Sequence, residues 1–238
     1  MKIHEQVEGN CSDTFRTVDF ETGEEARAHF ETVKSRLYLI NSWYSVCGEK
    51  FSKFRLCSPE GNDKIDCPEQ GDTIQIFTGT ENEDGDGKDW VKIEKIIDDK
   101  EEFSFRVRPC AAPTSDSDKT AHFYEDDATN TFSVKLKDKS VLTSIRGRNE
   151  KINTDSDTIL NTIRNPAVAL GGIIFGIKAQ WEALAGGLIK TDQKMENNIV
   201  LYDGDCGFCN FWVQWILRRV GSISSDSLLC RAISGKIF

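Results

Sequence analysis

The alternation of apolar and polar positions predicts one helix followed by a series of short strands. Residues 15–20 are read as a short edge element. Thr22 then places a hydroxyl cap before Glu24 and Glu25, and apolar residues recur at helical spacing as far as Leu39. Six later segments favour strands, and Asp138-Lys139 predicts a hairpin turn between the last two: 51–57, 73–77, 90–97, 103–107, 131–136 and 141–145. Several short strands with polar turns predict an antiparallel sheet or a small barrel.

A pair of helices is predicted after these strands. Asp155 or Ser156 can cap a helix that reaches Arg164, and Pro166 suits the first turn of a second helix that runs to about Leu188. Glycine disfavours a helix by about 1 kcal/mol relative to alanine. The glycines from Gly171 onward therefore predict that another backbone packs closely against this helix.

A change of composition near residue 191 predicts a domain boundary. Residues 191–198 are polar and read as a linker, whereas Ile199-Val200-Leu201-Tyr202 is a continuous apolar run that suits a buried strand. The fold class that follows is α+β. Residues 1–190 form an antiparallel sheet or small barrel with flanking helices, and residues 199–238 begin a second domain with a strand and a helix.

Composition and charge limit the classes of partner. The 238-residue chain has a formal net charge of −9, which argues against binding to a nucleic-acid backbone. No apolar run follows a basic start, so no secretory signal is predicted and the expected location is cytoplasmic. The uninterrupted apolar stretch at 167–177 is shorter than the ~20 residues of a membrane span. It predicts a buried or partner-facing helix instead.

The most specific chemical signal is a pair of cysteines two residues apart. Cys206-Gly207-Phe208-Cys209 follows the apolar strand and the turn Asp203-Gly204-Asp205, and it precedes a helical pattern at 210–219. At the start of a helix, the unpaired N–H groups and the helix dipole favour the thiolate of the first cysteine. The thiolate is the attacking species in thiol–disulfide exchange, and a second cysteine one turn later can resolve the mixed disulfide.

Residues 199–210 resemble the signature of the DCC family of thiol-disulfide oxidoreductases, which is named for an Asp-x-x-Cys-x-x-Cys motif. The matching positions are Asp203, Cys206 and Cys209. The resemblance implies a thioredoxin-like fold and protein-disulfide reductase activity. Cys206 would then be the nucleophile, Cys209 the resolving thiol and Asp203 an aid to proton transfer or a turn residue. It also implies a protein or small-molecule disulfide or thiol as substrate, and no cofactor.

The resemblance covers only about 20 residues, and the 40 that remain from Ile199 are too few for a thioredoxin-like domain. Residues 199–238 therefore read as a truncated domain. The other reading of the two cysteines is half of a zinc site, which needs four ligands, and only Cys230 lies near. Four further cysteines lack pair spacing and are interpreted as packed thiols: Cys47, Cys57, Cys67 and Cys110.

Three other features invite a functional reading. The acidic run at 82–87 resembles a calcium loop, but Ile93 occupies the position of the required glutamate. His122 stands beside acidic residues and could be a base or ligand, although a core or surface histidine is the simpler interpretation. Arg146-Gly147-Arg148-Asn149 is a small basic patch that could bind an anion or end a solvated strand.

Residues 1–190 resemble uncharacterised bacterial domains, and no activity follows from that resemblance. The first functional hypothesis is a thiol-disulfide oxidoreductase that uses Cys206 and Cys209. The alternative is a β-rich domain that binds a ligand or partner without catalysis and carries a vestigial redox segment. The sequence does not determine the oligomeric state.

Overall fold

The computed structural model describes residues 1–48, 51–77, 88–115, 119–153, 166–191, 198–203 and 228–233. For residues 166–173, 198–203 and 228–233 it describes the backbone only. The chain divides into two compact units, Met1–Lys190 and Thr191–Phe238.

The first unit contains seven strands and three helices among the residues described. In chain order they are β1 Asn10–Asp19, α1 Gly23–Tyr38, α2 Trp43–Cys47, β2 Lys53–Cys57, β3 Thr73–Phe77, β4 Lys88–Asp98, β5 Glu102–Pro109, β6 Thr129–Lys137, β7 Ser140–Glu150 and α3 Pro166–Ile189. A single 3₁₀ turn, Ile40–Ser42, leads into α2.

The seven strands form one antiparallel sheet in the order β1-β7-β6-β5-β4-β3-β2. Each strand from β2 to β6 pairs with the next one along the chain, and β7 also pairs with β1. Helices α1 and α3 pack against the sheet, and α2 packs against α3. One long helix, α3, follows the sheet in the chain, and two helices, α1 and α2, lie between its first two strands. The predicted antiparallel sheet is confirmed.

Helix α1 forms where its sequence pattern predicts it. The Thr22 side chain accepts a hydrogen bond from the Glu25 backbone N–H, and the Glu25 carboxylate accepts one from the Thr22 N–H, which completes a capping box. Its apolar stripe is buried in the core and consists of Ala26, Phe30, Val33 and Leu37. The hairpin between β6 and β7 turns at Asp138, whose φ of 52° is left-handed.

Two elements differ from their predictions. Strand β1 has ten residues rather than six, and most of them are exposed, so alternation of apolar residues could not show its length. Helix α2 was missed because it is only five residues long. The helix predicted from Asp155 or Ser156 to Arg164 lies outside the described residues.

Helix α3 confirms the prediction of close backbone packing at one glycine. A Cβ built on Gly187 would lie 2.7 Å from Val46 Cγ1 and 3.1 Å from the Val46 carbonyl carbon, and closer still to the Val46 oxygen. The C-terminal end of α3 is held by α1, because the buried Arg36 donates hydrogen bonds of 2.7 Å to the carbonyl oxygens of Leu188 and Lys190. Within the described chain, no helix is both long and apolar enough to cross a membrane.

The second unit contains two described strands, β8 Asn198–Asp203 and β9 Leu228–Ile233, which pair in parallel. Strand β8 confirms the strand predicted at 199–202, and β9 was not predicted. The thioredoxin-like part of the predicted fold class is not supported.

Candidate functional site

Five aromatic rings form a cluster between the sheet and the helices. Trp43 of α2 lies 5.2 Å from Phe54 and 5.0 Å from Phe132, measured between ring centroids. Phe132 in turn lies 5.1 Å from Phe105 and 5.4 Å from Trp181 of α3. All five side chains are buried. We call these residues the aromatic cluster; such ring pairs stabilise a core beyond the area that they bury.

Both tryptophans of the aromatic cluster keep an unused hydrogen-bond donor. The indole Nε1 atoms of Trp43 and Trp181 are buried, and neither has a hydrogen-bond partner among the described residues. A buried polar group without a partner costs about 1–3 kcal/mol. Such unsatisfied groups in a native structure require an explanation, such as a bound water, an ion or another bound partner.

A polar row crosses the sheet next to the aromatic cluster. In the strand register, Asn130 lies opposite Val107 on one side and Gly147 on the other, and Gly147 lies opposite Ser12. Asn130 is two residues from Phe132 in β6, so both side chains point to the helix-facing side of the sheet. The Asn130 Oδ1 atom is buried and has no partner among the described residues.

Glu150 enters this row because the chain turns at the end of β7. Asn149 has a left-handed φ of 55°. The Glu150 carboxylate occupies the space that a side chain at position 147 would need, and it accepts a 2.9 Å hydrogen bond from Ser12 Oγ. A glycine at 147 therefore makes room for a carboxyl group. Burial raises the pKa of Glu150, despite the hydrogen bond from Ser12.

Asp89 and His122 lie at the end of β4. By register Asp89 shares a side of the sheet with Ile76, and its carboxylate accepts a 3.4 Å hydrogen bond from the Phe123 N–H. His122 Nδ1 accepts a 2.9 Å hydrogen bond from the Tyr124 N–H. Burial raises the pKa of Asp89 and lowers the pKa of His122, which the Asp89 charge partly opposes. His122 is therefore neutral near pH 7, with its proton on Nε2.

One residue of α3, Ile177, connects the main apolar core to a smaller apolar cluster next to His122. Ile177 packs both against the main core and against a smaller apolar cluster formed by Phe123, Tyr124 and Ala128. Several groups with perturbed pKa values beside an aromatic core mark a candidate binding site. We call Ser12, Asp89, His122, Asn130 and Glu150 the polar end of this site.

The residues predicted from the cysteine motif cannot be placed in this site. Cys206 and Cys209 lie outside the described residues, and of Asp203 only the backbone is described, as the last residue of β8. Their roles stay predictions. The acidic run at 82–87 also lies outside the described part of the chain.

The polar end was not identified as a site from the sequence. His122 was interpreted there as a core or surface histidine, and it is half-buried with Asp89 as a charged neighbour. Asn130, Ser12 and Glu150 carry no local motif. Only strand pairing brings them together, across as many as 138 positions of the chain.

Cys11, Cys47, Cys57 and Cys110 are free thiols, and burial disfavours the reactive thiolate at Cys47, Cys57 and Cys110. Burial raises the pKa of Cys47 to about 12 and of Cys110 to about 11, which favours the unreactive thiol. Cys57 is buried, whereas Cys11 and Cys67 are exposed. The prediction that Cys67 is a packed thiol is therefore wrong.

No protein-family model matches the chain, and no curated protein matches its sequence. Among solved structures, a hypothetical protein from Helicobacter pylori is 11% identical with a TM-score of 0.42, covering 74% of this chain and 86% of that one. The Zhui aromatase/cyclase from a Streptomyces species is 8% identical with a TM-score of 0.41, over 76% of this chain and 92% of that one. Norcoclaurine synthase from Thalictrum flavum, solved with dopamine and hydroxybenzaldehyde, is 11% identical with a TM-score of 0.36, over 82% and 99%. Similarity at this level transfers no activity.

The predicted membership of the DCC family is wrong. No family model matches, and the larger unit is a seven-stranded antiparallel sheet around a long helix, whereas a thioredoxin-like domain has a four-stranded sheet. The oxidoreductase and disulfide assignments depended on that membership, and they are wrong as well. A disulfide or thiol substrate is not supported either, because burial raises the pKa values of Cys47, Cys57 and Cys110.

Proposed function

We propose that residues 1–190 form a non-enzymatic binding domain for a small, mainly apolar molecule with at least one hydrogen-bond donor. The molecule lies between the helix-facing side of the sheet and α3. The observation that carries the proposal is the set of buried polar atoms without partners on that surface: Trp43 Nε1, Trp181 Nε1 and Asn130 Oδ1.

The aromatic cluster supports an apolar body for the ligand. Pockets for small molecules are lined mainly by apolar and aromatic side chains, with a few polar groups that fix orientation. Trp43, Phe132 and Trp181 offer that lining, and their two indole N–H groups can donate to an acceptor on the ligand.

The polar end supports a hydrogen-bond donor at one end of the ligand. Asn130 Oδ1 is an acceptor with no described partner, and Glu150 presents a second acceptor across the next strand. A site built to accept a hydrogen bond discriminates strongly against analogues that lack the donor. The ligand class is therefore an aromatic or polycyclic molecule with an amine, amide or hydroxyl group.

The N-terminal half of α3 supports an entry route. Ile174 and Phe175 are large apolar residues that are exposed, Phe175 by 73% of its surface. Trp181, Leu184 and Leu188, further along the same helix, are buried. The C-terminal half of α3 is therefore anchored in the core, whereas the N-terminal half exposes two large apolar side chains to a potential ligand.

The test is a titration with 7-hydroxycoumarin, a fluorescent probe with an aromatic body, one O–H donor and a carbonyl acceptor. The variant Trp181→Phe removes the indole N–H and keeps an aromatic ring, and Asn130→Leu removes the acceptor. One hydrogen bond contributes about 0.5–1.5 kcal/mol, so each variant should weaken binding about two- to tenfold.

Trp90→Phe is the matched control. Trp90 is buried in β4, but the register places it on the side of the sheet opposite Val91 and Ile93, which lie in the main core. The proposal expects wild-type affinity in this control. Binding that is equal in all four proteins, or no binding to the wild type, would contradict it.

A further inference from the structure

Four arginines lie on the side of the sheet that faces away from the helices. Arg106 and Arg108 project from β5, and Arg146 and Arg148 project from β7. Strand β6 runs between them, with Thr131 opposite both Arg106 and Arg146 in the register. Directly opposite residues of antiparallel strands point to the same side of the sheet, so both arginines flank the Thr131 hydroxyl. We call these four arginines and Thr131 the arginine face.

Two carboxylates partly neutralise the arginine face. Glu94 accepts a 2.7 Å hydrogen bond from Arg106 Nε and also pairs with Arg108. Asp13 pairs with Arg148 at 2.9 Å and lies 4.0 Å from Arg146 Nε. In these salt bridges, two carboxylates are paired with four arginines. Two positive charges are therefore not neutralised, although the whole chain has a net charge of −9.

Two donors at the centre of the arginine face are buried and unused. Thr131 Oγ1 and Arg146 Nε have no hydrogen-bond partner among the described residues. Thr131 is only 2% exposed, and its Cα is the direct register partner of the Arg146 Cα. The Arg146 guanidinium stacks over the Phe15 ring at 4.9 Å, which restricts where that side chain can point.

We infer that Thr131, Arg146 and Arg106 form a binding site for a phosphate-type oxyanion. Guanidinium groups bind phosphate oxygens through paired N–H donors, and a hydroxyl can donate to a further oxygen. A dianion would match the two uncompensated charges and would supply acceptors to both unused donors. This site lies on the opposite side of the sheet from the aromatic cluster, so its existence does not depend on the small-molecule site.

The test is thermal unfolding of the full chain in increasing inorganic phosphate, with ionic strength held constant by sodium chloride. A ligand that binds the folded state raises the melting temperature in a saturable way. Thr131→Val removes the hydroxyl at constant shape, and Arg146→Met removes the guanidinium. Since the Thr131 hydroxyl has no partner, Thr131→Val should fold as well as the wild type.

Hydrogen bonds to charged groups are stronger than those between neutral groups. We therefore expect each variant to bind phosphate at least about tenfold more weakly than the wild type. Arg55→Met is the matched control, because Arg55 lies on β2 and pairs with a single acid, Asp63, at 3.4 Å. This control should keep the wild-type response to phosphate. No saturable response in the wild type, or the same response in Thr131→Val and Arg146→Met, would overturn the inference.

A parallel titration with glycerol 3-phosphate distinguishes free phosphate from a phosphomonoester. Tighter binding of the ester identifies a phosphorylated molecule as the natural occupant, and tighter binding of inorganic phosphate identifies the free anion. Either result supports the site if, in Thr131→Val, the phosphate compound no longer raises the melting temperature above its value in sodium chloride of the same ionic strength.

Discussion

Two adjacent glycines of α3 should respond in opposite directions to the same substitution. Gly187 faces α2, where an added Cβ would lie 2.7 Å from Val46 Cγ1, 3.1 Å from the Val46 carbonyl carbon and closer to its oxygen. Gly186 is half-buried, and the nearest atom to its added Cβ is Arg16 Nε at 4.0 Å. We expect Gly187→Ala to destabilise the first unit and Gly186→Ala to stabilise it.

The magnitudes follow from the contacts. Alanine gains up to about 1 kcal/mol over glycine inside a helix. Overpacking costs about 1–3 kcal/mol, and the upper value applies where backbone rather than a flexible side chain must move. The free energy of unfolding should therefore fall by about 2 kcal/mol in Gly187→Ala and rise by about 0.5 kcal/mol in Gly186→Ala. For a unit of this size, each kcal/mol shifts the melting temperature by about 2–4 °C.

Urea unfolding followed by far-ultraviolet circular dichroism measures both changes in one experiment. Gly186→Ala is the control for helix propensity, since it carries the same substitution one position away. If Gly187→Ala were as stable as Gly186→Ala, the close approach of α2 to α3 would be refuted.

Three further predictions concern buried polar groups. Arg36→Met should lower the free energy of unfolding in urea by about 2–4 kcal/mol, because two hydrogen bonds to the carbonyls of Leu188 and Lys190 are lost. A variant as stable as the wild type would exclude this role for Arg36. Asn149→Ala should cost about 1–3 kcal/mol, because the φ of 55° is strained for alanine and the 2.8 Å hydrogen bond from the Val7 N–H to Asn149 Oδ1 is lost. Asn149→Gly, which relieves only the strain, should recover part of that loss. Burial raises the pKa of Glu150. Above the ordinary glutamate pKa of about 4.3, the folded state therefore binds more protons than the unfolded state. The free energy of unfolding consequently falls as the pH rises through the raised pKa. Glu150→Gln should therefore become more stable relative to the wild type from pH 4 to pH 7, and a difference that stays constant with pH would contradict this.

Local signals predicted most of the elements of the first unit. The Thr22 cap, the turn at Asp138 and the start of α3 at Pro166 depend on residues within a few positions of one another, and the structure confirms each of them. Strand β1 gave a weaker signal because it is an edge strand with few buried residues. Its length is set by pairing with β7, which no local pattern contains.

The candidate site could not be predicted in the same way, because it depends on register. Asn130 and Gly147 have ordinary sequence contexts, and they form part of a polar surface only when β6 pairs with β7. The Arg146-Gly147-Arg148-Asn149 patch was visible in the sequence. Its partners Arg106 and Thr131 were not, since they lie on two other strands.

The resemblance at Cys206 and Cys209 led to an error of a different kind, in which a local signal was given too much weight. A short motif of specific appearance led to a family and to a thioredoxin-like fold for residues 199–238, although it covered about 20 residues. Fold class is set by the many residues that build a core, and here those residues belong to the antiparallel sheet and α3.

The central claim is that the helix-facing side of the sheet binds a small molecule through Trp43 and Trp181. The most direct measurement is a proton–nitrogen correlation spectrum of the indole N–H groups during titration with 7-hydroxycoumarin. Each signal is assigned from tryptophan-to-phenylalanine variants. The account predicts that the Trp43 and Trp181 signals shift with one common affinity while the Trp90 signal stays in place. Shifts confined to Trp90, or no shift of Trp43 and Trp181 at saturating probe, would contradict it.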